Sequence, residues 1–505
     1  MGLVLLTERH APQIAGVLSC YDRVIVQGTL PVFCYAEGMT AYLTKRHMRI
    51  FDFVQFAKPL TDSIKANAEA LAAANGLTID YVRKKNFRKE DRVKAVLKER
   101  GTQPGVVWIF SALEPCTTYQ PWHDKQSGKT YLRYDDGKCL HYYFYFIDED
   151  LGLCYVRVPT WCPFRLQFYC NGHNWLARQL DRNKIPYTLL DNAFAAIDDW
   201  AAAQELSDGW DATFLHRKLD EFSDRYCPIL KQIEESYHWS LDEAEYATDI
   251  VFRRQGDLQA IYGNLIRTAI HTVKPDDIAT FLGKKLSGNY QQEMGNRYNI
   301  RIEGTRVRHS MDMASIKMYD KFGQILRIET TAKNISFFKH YREVEQRNGE
   351  SVMKFAPMKK TIYSLGALRE VLSAANRRYL EFLSAIDDPS QGIDKLEKIT
   401  RTVHEDARSY RGFNFFDQED EALFVALARG EFTIGGVQNK ALRFPQYSSG
   451  QMSRILRRLR THGLIKKASH CYKYYLTALG KQVVALGLKL KELVIIPELA
   501  VAPIR

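Results

Sequence analysis

Apolar residues recur at helical spacing near the end of the chain. Met452, Ile455, Leu456 and Leu459 fall at positions i, i+3, i+4 and i+7, so they form one stripe along a helix. This spacing predicts an amphipathic helix over 451–462, with polar and basic residues on the opposite face.

Short elements are predicted on both sides of this helix. Ser448 and Ser449 are candidate N-caps, and Gly463 is a candidate terminator. Residues 464–467 and 472–476 read as two strands joined by a turn. The remaining predicted elements are a first helix over 422–427, a short helix from Thr433 through Ala441, and a last helix from Thr477 through Lys491.

This order of elements resembles the winged helix-turn-helix of MarR-type regulators. The resemblance is carried by Ser453-Arg454, Leu459, His462-Gly463-Leu464-Ile465 and Leu476-Thr477-x-x-Gly480. It implies a recognition helix in the DNA major groove and a wing on the backbone or minor groove. The implied nucleic-acid contacts are Gln451, Ser453, Arg454, Arg457, Arg458 and, on the wing, Lys473. Winged helices also mediate protein contacts, which is the alternative interpretation.

The rest of the chain predicts an α+β multidomain protein. Residues 1–100 read as a mixed α/β domain, and 101–195 as a β-rich domain with an aromatic hairpin. Residues 196–400 read as a helical region with an inserted β-hairpin at 299–331, and 415–495 as the winged-helix domain. The length of 505 residues agrees with about three to four domains.

The charge distribution favours a polyanionic partner. Residues 432–491 contain 12 Lys or Arg and no Asp or Glu, while the whole chain carries a formal net charge of +12. The other residues therefore balance to zero, and the positive charge is concentrated near one end. Such a patch attracts nucleic acid through phosphate neutralisation and counterion release.

Composition also indicates the cellular compartment. No segment approaches 18 uncharged apolar residues, so no membrane association is expected. The nine cysteines include no Cys-x-x-Cys pair and are best interpreted as free thiols. We therefore expect a cytoplasmic protein.

A basic run in the N-terminal region is a second candidate contact with nucleic acid. Lys84, Lys85 and Arg88 can bind phosphates, and Phe87 can stack on a base. A solvated helix end is the equally supported alternative.

A charged hairpin carries the first candidate for chemistry. It reads Ser315-Ile-Lys-Met-Tyr319-Asp320-Lys321 in one arm and Leu326-Arg-Ile-Glu329 in the other. Over these few residues it resembles the strand pairs of phage and plasmid replication initiators. That resemblance implies Tyr319 as a nucleophile and Asp320 and Glu329 as Mg²⁺ ligands. A His-x-His metal pair is absent from the sequence, and cross-strand ion pairs on an exposed hairpin are the alternative.

Carboxylates at strand ends offer another route to Mg²⁺ chemistry. Asp22, beside the apolar run 24–26, is the most informative of them, and Asp148, Asp150 and Asp191 are further members. If such groups converge, they can hold Mg²⁺ for phosphodiester cleavage, as in ribonuclease H-like transposases.

Together these patterns favour a nucleic-acid-binding protein, with DNA the leading partner and RNA a possible one. The first hypothesis is a Mg²⁺-dependent DNA-processing protein of a mobile element, either a transposase or a replication initiator. The alternatives are a non-catalytic transcription regulator and a protein that binds structured RNA. A homodimer is compatible with each of these hypotheses.

Overall fold

The structure is a computed structural model. It describes residues 4–84, 86–286, 290, 294–301, 304–387, 390–429, 436–439, 441, 442, 444, 446–468, 473–496 and 499. The chain divides into two compact units, Met1–Asp387 and Asp388–Arg505. Within the described residues, no helix combines the length and the apolar content of a membrane span.

An eleven-stranded sheet forms the centre of the first unit. Its strands lie in the order β10-β11-β12-β13-β9-β1-β6-β5-β4-β3-β2, and only the β2–β3 pair is parallel. The strands are β1 (Ile14–Thr29), β2 (Ile79–Tyr81), β3 (Gly105–His123), β4 (Thr130–Asp148), β5 (Gly152–Pro159), β6 (Leu166–Cys170), β9 (His238–Phe252), β10 (Met294–Arg301), β11 (Gly304–Met311), β12 (Ala314–Lys321) and β13 (Ile325–Ala332).

Helices and two small hairpins complete this unit. The helices are α1 (Leu6–Arg9), α2 (Ala36–Lys45), α3 (Phe53–Ala74), α4 (Lys89–Arg100), α5 (Gly172–Arg182), α6 (Trp200–Asp208), α7 (Ala212–Tyr226), α8 (Leu230–Ile233), α9 (Gln255–Thr272), α10 (Pro275–Phe281) and α11 (Leu365–Asp387). The small hairpins pair β7 (Tyr187–Leu190) with β8 (Ala193–Ile197), and β14 (Lys339–Glu345) with β15 (Ser351–Pro357).

Strand β1 shows how the sequence assigns the two faces of the sheet. Val24 and Val26 are fully buried in the main hydrophobic core. Arg23 and Gln27 alternate with them and are only partly buried, because successive side chains of a strand point to opposite faces. Arg23 Nη2 donates a 3.0 Å hydrogen bond to Glu243 of β9, so this part of the second face is polar.

The predicted division of this region is wrong in two respects. The boundaries placed at 100 and 195 cut through a single sheet, since strands on both sides of each boundary belong to it. The middle region also contains more strands than predicted, because it supplies five adjacent strands of that sheet, β10, β11, β12, β13 and β9. Long-range pairing of β9 with β1 overrides the local helical propensity of this segment.

The second unit has its own core and a mixed set of short elements. Its elements are α12 (Ser390–Thr400), β16 (Val403–Glu405), β17 (Arg408–Tyr410), α13 (Gln418–Leu427), α14 (Ser449–Thr461), β18 (Ile465–Lys467), β19 (Tyr474–Leu476) and α15 (Ala478–Leu490). Met452, Leu456 and Leu459 lie in the core of this unit, which confirms the predicted apolar stripe.

The predicted caps of the second unit are also present. Ser448 Oγ accepts a hydrogen bond from Gln451 N, and Thr477 Oγ1 accepts one from Gly480 N. The β16–β17 hairpin was not predicted. Of the predicted short helix over 433–441, residues 433–435 and 440 lie outside the described residues, and Val437 forms a β-bridge with Tyr474 where a helix was predicted. The start of the predicted strand at Tyr472 also lies outside the described residues.

Gly172 is required where α5 meets β1. A Cβ added there would lie 2.4 Å from the carbonyl oxygen of Tyr21. We expect Gly172→Ala to lower the free energy of unfolding by about 1–3 kcal/mol, because the backbones must separate.

Gly263→Ala is the matched control, since a Cβ on this helical glycine meets nothing within 4 Å. It is expected to raise stability by about 0.5–1 kcal/mol. Urea denaturation of both variants measures this, and equal effects would contradict the packing role of Gly172.

Candidate functional site

Polar side chains from several strands converge on the second face of the sheet. Tyr319 of β12 lies opposite Arg327 of β13, and Lys317 lies opposite Glu329. Arg327 in turn lies opposite Asp249 of β9. Directly paired residues of an antiparallel sheet share a face, so these side chains form two adjacent rows.

A β-bulge brings Asp22 to the same place. The register of β1 against β9 shifts between Tyr21 and Arg23, which leaves Asp22 as the extra residue. A bulge re-aims the side chain at its position. Asn171 holds the bulge in place, because its Nδ2 donates a 2.5 Å hydrogen bond to the Asp22 carbonyl oxygen. Asp22 is 8% exposed and faces Arg327.

Arg327 is the centre of the buried network. Its guanidinium is fully buried and donates from Nε and Nη2 to the two Asp249 carboxylate oxygens, each at 2.6 Å. Nη1 donates to Asp22 Oδ1 at 3.2 Å, and Nη2 also donates to the Asn192 carbonyl at 2.6 Å. One side chain therefore joins β13, β9, β1 and the β7–β8 turn.

His173, the second residue of α5, completes this network. Its Nε2 lies 3.0 Å from Arg327 Nη2, and its Nδ1 lies 3.2 Å from Asp22 Oδ1. Burial lowers the pKa of His173, but Cys20, Asp22 and Asp249 outweigh burial and Arg327 and raise that pKa well above its usual value. The two ring nitrogens thus lie against carboxylates of Asp22 and Asp249 as well as against Arg327.

The electrostatics of the network follow from these contacts. Burial alone would raise the pKa of Asp249, but Arg327 outweighs it and lowers that pKa to about 2. The pKa of Asp22 is lowered in the same way, since Arg327 and His173 outweigh its burial. Both carboxyl groups are therefore ionised throughout the neutral range.

Three carboxylates meet at the less buried side of the network. One oxygen each of Asp22, Glu245 and Glu329 can be chosen so that all three lie within 4.8 Å of one another. Lys317 Nζ lies 2.6 Å from Glu329 Oε1 and 3.2 Å from Glu245 Oε1. Burial, followed by the nearby Glu329, raises the pKa of Glu245. We call Asp22, Glu245 and Glu329 the carboxylate cluster.

Tyr319 contacts the carboxylate cluster directly. Its Oη donates a 2.7 Å hydrogen bond to Glu329 Oε2. Burial, followed by Glu329, raises the pKa of the Tyr319 phenol well above its usual value. The phenol is therefore protonated at neutral pH, with a carboxylate placed to accept its proton.

The carboxylate cluster fits a divalent cation by donor type, because Mg²⁺ and Ca²⁺ prefer carboxylate oxygens. Four carboxylates, those of the cluster and that of Asp249, lie near three cationic side chains, Lys317, Arg327 and Lys321. Lys317 is the cation that already lies between two of the three ligands.

The structure contradicts the prediction for Asp320. This residue lies on the opposite face of β12 from Tyr319, because neighbouring residues of a strand alternate. Its Oδ2 accepts a 2.8 Å hydrogen bond from Gln259 Nε2, and burial raises its pKa. Asp320 is therefore not part of the carboxylate cluster, whereas Tyr319, Glu329 and Asp22 are brought together.

Sequence reasoning missed Glu245, Asp249 and His173. The signal for the first two was present, because acids at 243, 245 and 249 are separated by even numbers of residues within an otherwise apolar run. That spacing is typical of one face of a strand. The prediction of a helical region over 196–400 conflicts with this strand pattern. Nothing in the local sequence links His173 to Asp22.

The basic helix α14 divides into buried and exposed arginines. Arg458 was predicted to contact nucleic acid, but it is 9% exposed and donates to Asp420 from Nη1 at 2.8 Å and from Nη2 at 3.0 Å. It also stacks on Phe413, with Cζ 3.8 Å from the ring centroid. Arg458 is thus a core residue, since it lies on the side of α14 that faces α13 and the 410–413 segment.

The other predicted contacts are more accessible. Arg457 Nη2 forms a 2.9 Å ion pair with Asp406 at the tip of the β16–β17 hairpin, so this arginine is partly occupied. Gln451, Ser453, Arg454 and Lys473 are exposed. In the first unit, Lys84 and Arg88 are exposed just before α4, and Lys85 lies outside the described residues.

Comparison of the chain with family models, with curated proteins and with solved structures found no match. The site geometry and the charge distribution are therefore the basis for assigning a function.

Arg327 should control stability in a pH-dependent way. We expect Arg327→Met to lower the free energy of unfolding by about 3–5 kcal/mol at pH 7, because Asp22 and Asp249 remain buried without their partner. Depressed carboxyl pKa values stabilise the parent above about pH 4, the unfolded value, and this contribution is lost as pH falls towards 2. In the variant the two groups become neutral at low pH, so the difference from the parent should shrink between pH 7 and pH 3.

Denaturant unfolding at several pH values measures this difference. Arg377→Met is the control, since Arg377 is exposed and, among the described residues, forms its ion pair with Glu381 one turn away. It should change stability by less than about 0.5 kcal/mol at any pH. A loss for Arg327→Met that is constant from pH 7 to pH 3 would contradict the assigned ionisation.

Proposed function

We propose that the protein binds DNA through its second unit, with α14 as the recognition helix of a winged helix-turn-helix. The observation that carries this proposal is the exposed basic face of α14 within the acid-free stretch 432–491. Gln451, Ser453, Arg454 and Arg460 lie on this face, opposite the buried apolar stripe. An Arg on such a helix can donate two hydrogen bonds to guanine in the major groove.

The elements around α14 support the same interpretation. Helix α13 precedes it, the β18–β19 pair follows it, and α15 closes the core on which α14 packs. Gly480 of α15 approaches the Leu464 carbonyl so closely that a Cβ would lie 2.0 Å from it. This contact holds α15 against the residue just before β18. Lys473 lies immediately before β19, the second strand of the pair.

The first unit supports a second function, the processing of a phosphodiester at the carboxylate cluster. The observation that favours it is the convergence of Asp22, Glu245 and Glu329 with Tyr319, from positions far apart in the sequence. These three carboxylates would hold a Mg²⁺ ion, which when bound supplies charge stabilisation to phosphoryl oxygens. The protein would then belong to the DNA-processing proteins of mobile elements.

Tyr319 would act as the nucleophile in such a reaction. Its phenol oxygen would form the new bond to phosphorus as the bond from phosphorus to one deoxyribose oxygen breaks. Glu329 would accept the phenol proton, and the departing sugar oxygen would take a proton from Lys317 or from water. The product would be a phosphotyrosyl link to one DNA end and a free hydroxyl on the other.

Arg454 should contribute more to DNA sequence choice than Lys473. We expect Arg454→Ala in the full chain to weaken binding of a selected duplex by about 1–3 kcal/mol and to affect random duplex much less. Lys473→Ala should weaken both duplexes equally and reduce the log–log salt slope by about 0.9, the loss of one phosphate contact. Fluorescence anisotropy at several salt concentrations measures both effects.

Arg401→Gln is the control for a general loss of charge, because this arginine is exposed and lies outside α14. It should leave the affinity for both duplexes nearly unchanged. If the parent binds no duplex at low salt, or prefers structured RNA to every duplex, the DNA-reading role is wrong.

Tyr319→Phe should abolish any Mg²⁺-dependent nicking and any covalent protein–DNA adduct. The fold should persist, since the change removes one hydroxyl and Glu329 keeps its contact with Lys317. Tyr341→Phe, at an exposed tyrosine of β14, is the matched control and should remain active. Denaturing gels that separate nicked DNA and adduct from free DNA measure the outcome.

The same assay separates the remaining hypotheses. If Tyr319→Phe cleaves as well as the parent while Glu329→Gln and Asp22→Asn do not, the carboxylates act on water and Tyr319 is not the nucleophile. If the parent shows no Mg²⁺-dependent cleavage of any single-stranded or duplex DNA, the processing role is wrong and a binding protein remains.

A further inference from the structure

The second unit contains a large cavity beside α14. Its volume is about 690 Å³, which is within the range of small-molecule sites. It is built from the β17 strand and the residue after it, from α13, from α14 and from the segment before α14. The lining includes Arg408, Tyr410, Phe444, Tyr447, Arg454 and Arg457.

Two buried donors in the wall of this cavity have no acceptor among the described residues. Tyr410 Oη and Arg457 Nε are both shielded from solvent, and neither has a hydrogen-bond partner within the part of the chain that the structure describes. An unsatisfied buried donor costs about 1–3 kcal/mol. Both side chains lie close together, with Arg457 Cζ 6.0 Å from the Tyr410 ring centroid. An acceptor group on a ligand would satisfy them.

The charge of the cavity selects an anion. Five arginines line it against two carboxylates. Asp420 is already used by Arg458, and Arg411 reaches Glu419 and Asp420 only at 3.8 and 3.9 Å. Among the described residues, Arg408 and Arg454 have no ion-pair partner. Arginine donates to phosphate oxygens in pairs, so these two side chains suit a phosphorylated group.

The apolar lining of the cavity favours a ligand with a planar aromatic ring. Tyr410, Phe444 and Tyr447 contribute aromatic surface, and Leu423 and Ile455 contribute aliphatic surface. Phe444 and Tyr447 contact each other edge to face, with centroids 6.0 Å apart. Aromatic side chains of this kind stack on a nucleobase without requiring a particular base.

We infer that this cavity binds a mononucleotide, with its phosphates on Arg408 and Arg454 and its base among the aromatic side chains. Gln451 and Arg454 also belong to the exposed face of α14, so the nucleotide and duplex DNA would compete for them. The nucleotide site stands on the cavity itself, whereas the competition rests on the proposed DNA-binding function.

Isothermal titration of the full chain with ATP, adenosine and inorganic phosphate tests the site. ATP should bind, and adenosine and phosphate should each bind at least about tenfold more weakly, because each satisfies only one half of the cavity. Tyr410→Phe should weaken ATP binding by about tenfold and leave the melting temperature unchanged or slightly higher, since the removed hydroxyl has no partner in the free protein.

Two further variants make the test specific. Arg408→Gln should weaken ATP binding by about tenfold, because one phosphate contact is lost. Tyr475→Phe and Arg401→Gln carry the same chemical changes outside the cavity and should bind ATP as the parent does. If ATP fails to bind, if inorganic phosphate binds as tightly as ATP, or if Tyr410→Phe and Arg408→Gln retain full ATP affinity, the nucleotide site is wrong.

Competition is measured separately, by adding ATP to a complex of the full chain with labelled duplex. Displacement in the parent, and its loss in Tyr410→Phe, supports a shared surface. ATP binding without displacement supports the site and contradicts the competition. Absence of duplex binding before ATP is added would be a failure of the proposed DNA role alone, since the ATP titration does not depend on it.

Discussion

The ion pair of Arg327 with Asp249 is the contact on which the first unit depends. A fully buried guanidinium carries a large desolvation penalty, which only complete hydrogen bonding can offset. Arg327 meets this requirement by drawing its acceptors from β9, β1 and the β7–β8 turn, and it also contacts His173 of α5. A register slip of one residue in β13 would turn Arg327 to the apolar face and leave Asp249 unpaired. The charge pair therefore selects one alignment of the central strands.

The same network has an inner half that is closed to solvent and an outer half that is partly exposed. Arg327, Asp249 and His173 are essentially inaccessible, and their hydrogen bonds fix Asp22. Lys317 and Glu245 retain side-chain exposures of 12% and 18%, so the outer half of the network can be reached from solvent. Rigid support behind a partly exposed group of carboxylates is what a site for a cation and a phosphodiester requires. The inner ion pairs thus position the outer groups of the proposed site.

Part of this arrangement could be predicted from the sequence. The rest could not, because it depends on contacts between segments that are far apart in the chain. Helix α14 with its N-cap Ser448, the strand pair after it and the N-cap Thr477 of α15 depend on local spacing, so the nearby sequence predicts them. The carboxylate cluster depends on pairing between β1 and β9, which are more than 200 residues apart in the sequence. Asp22 reaches it only through a bulge, and a bulge is a property of two paired strands and not of either one alone.

The arginines of α14 show the same limit at the scale of one helical turn. Arg454 and Arg458 are four residues apart, so helical periodicity places them on similar faces and predicts similar roles. The two arginines differ in role because of one carboxylate. Asp420 of α13 lies beside Arg458 and accepts a bidentate pair of hydrogen bonds from it. Arg458 anchors α14 to the core of the second unit, and Arg454 keeps its donors unpaired within the described residues. A buried arginine that fixes an element thus lies next to an exposed one that is available for a ligand. The first unit has a similar arrangement, in which Arg327 is fully buried in the network and Lys317 is partly exposed between Glu245 and Glu329.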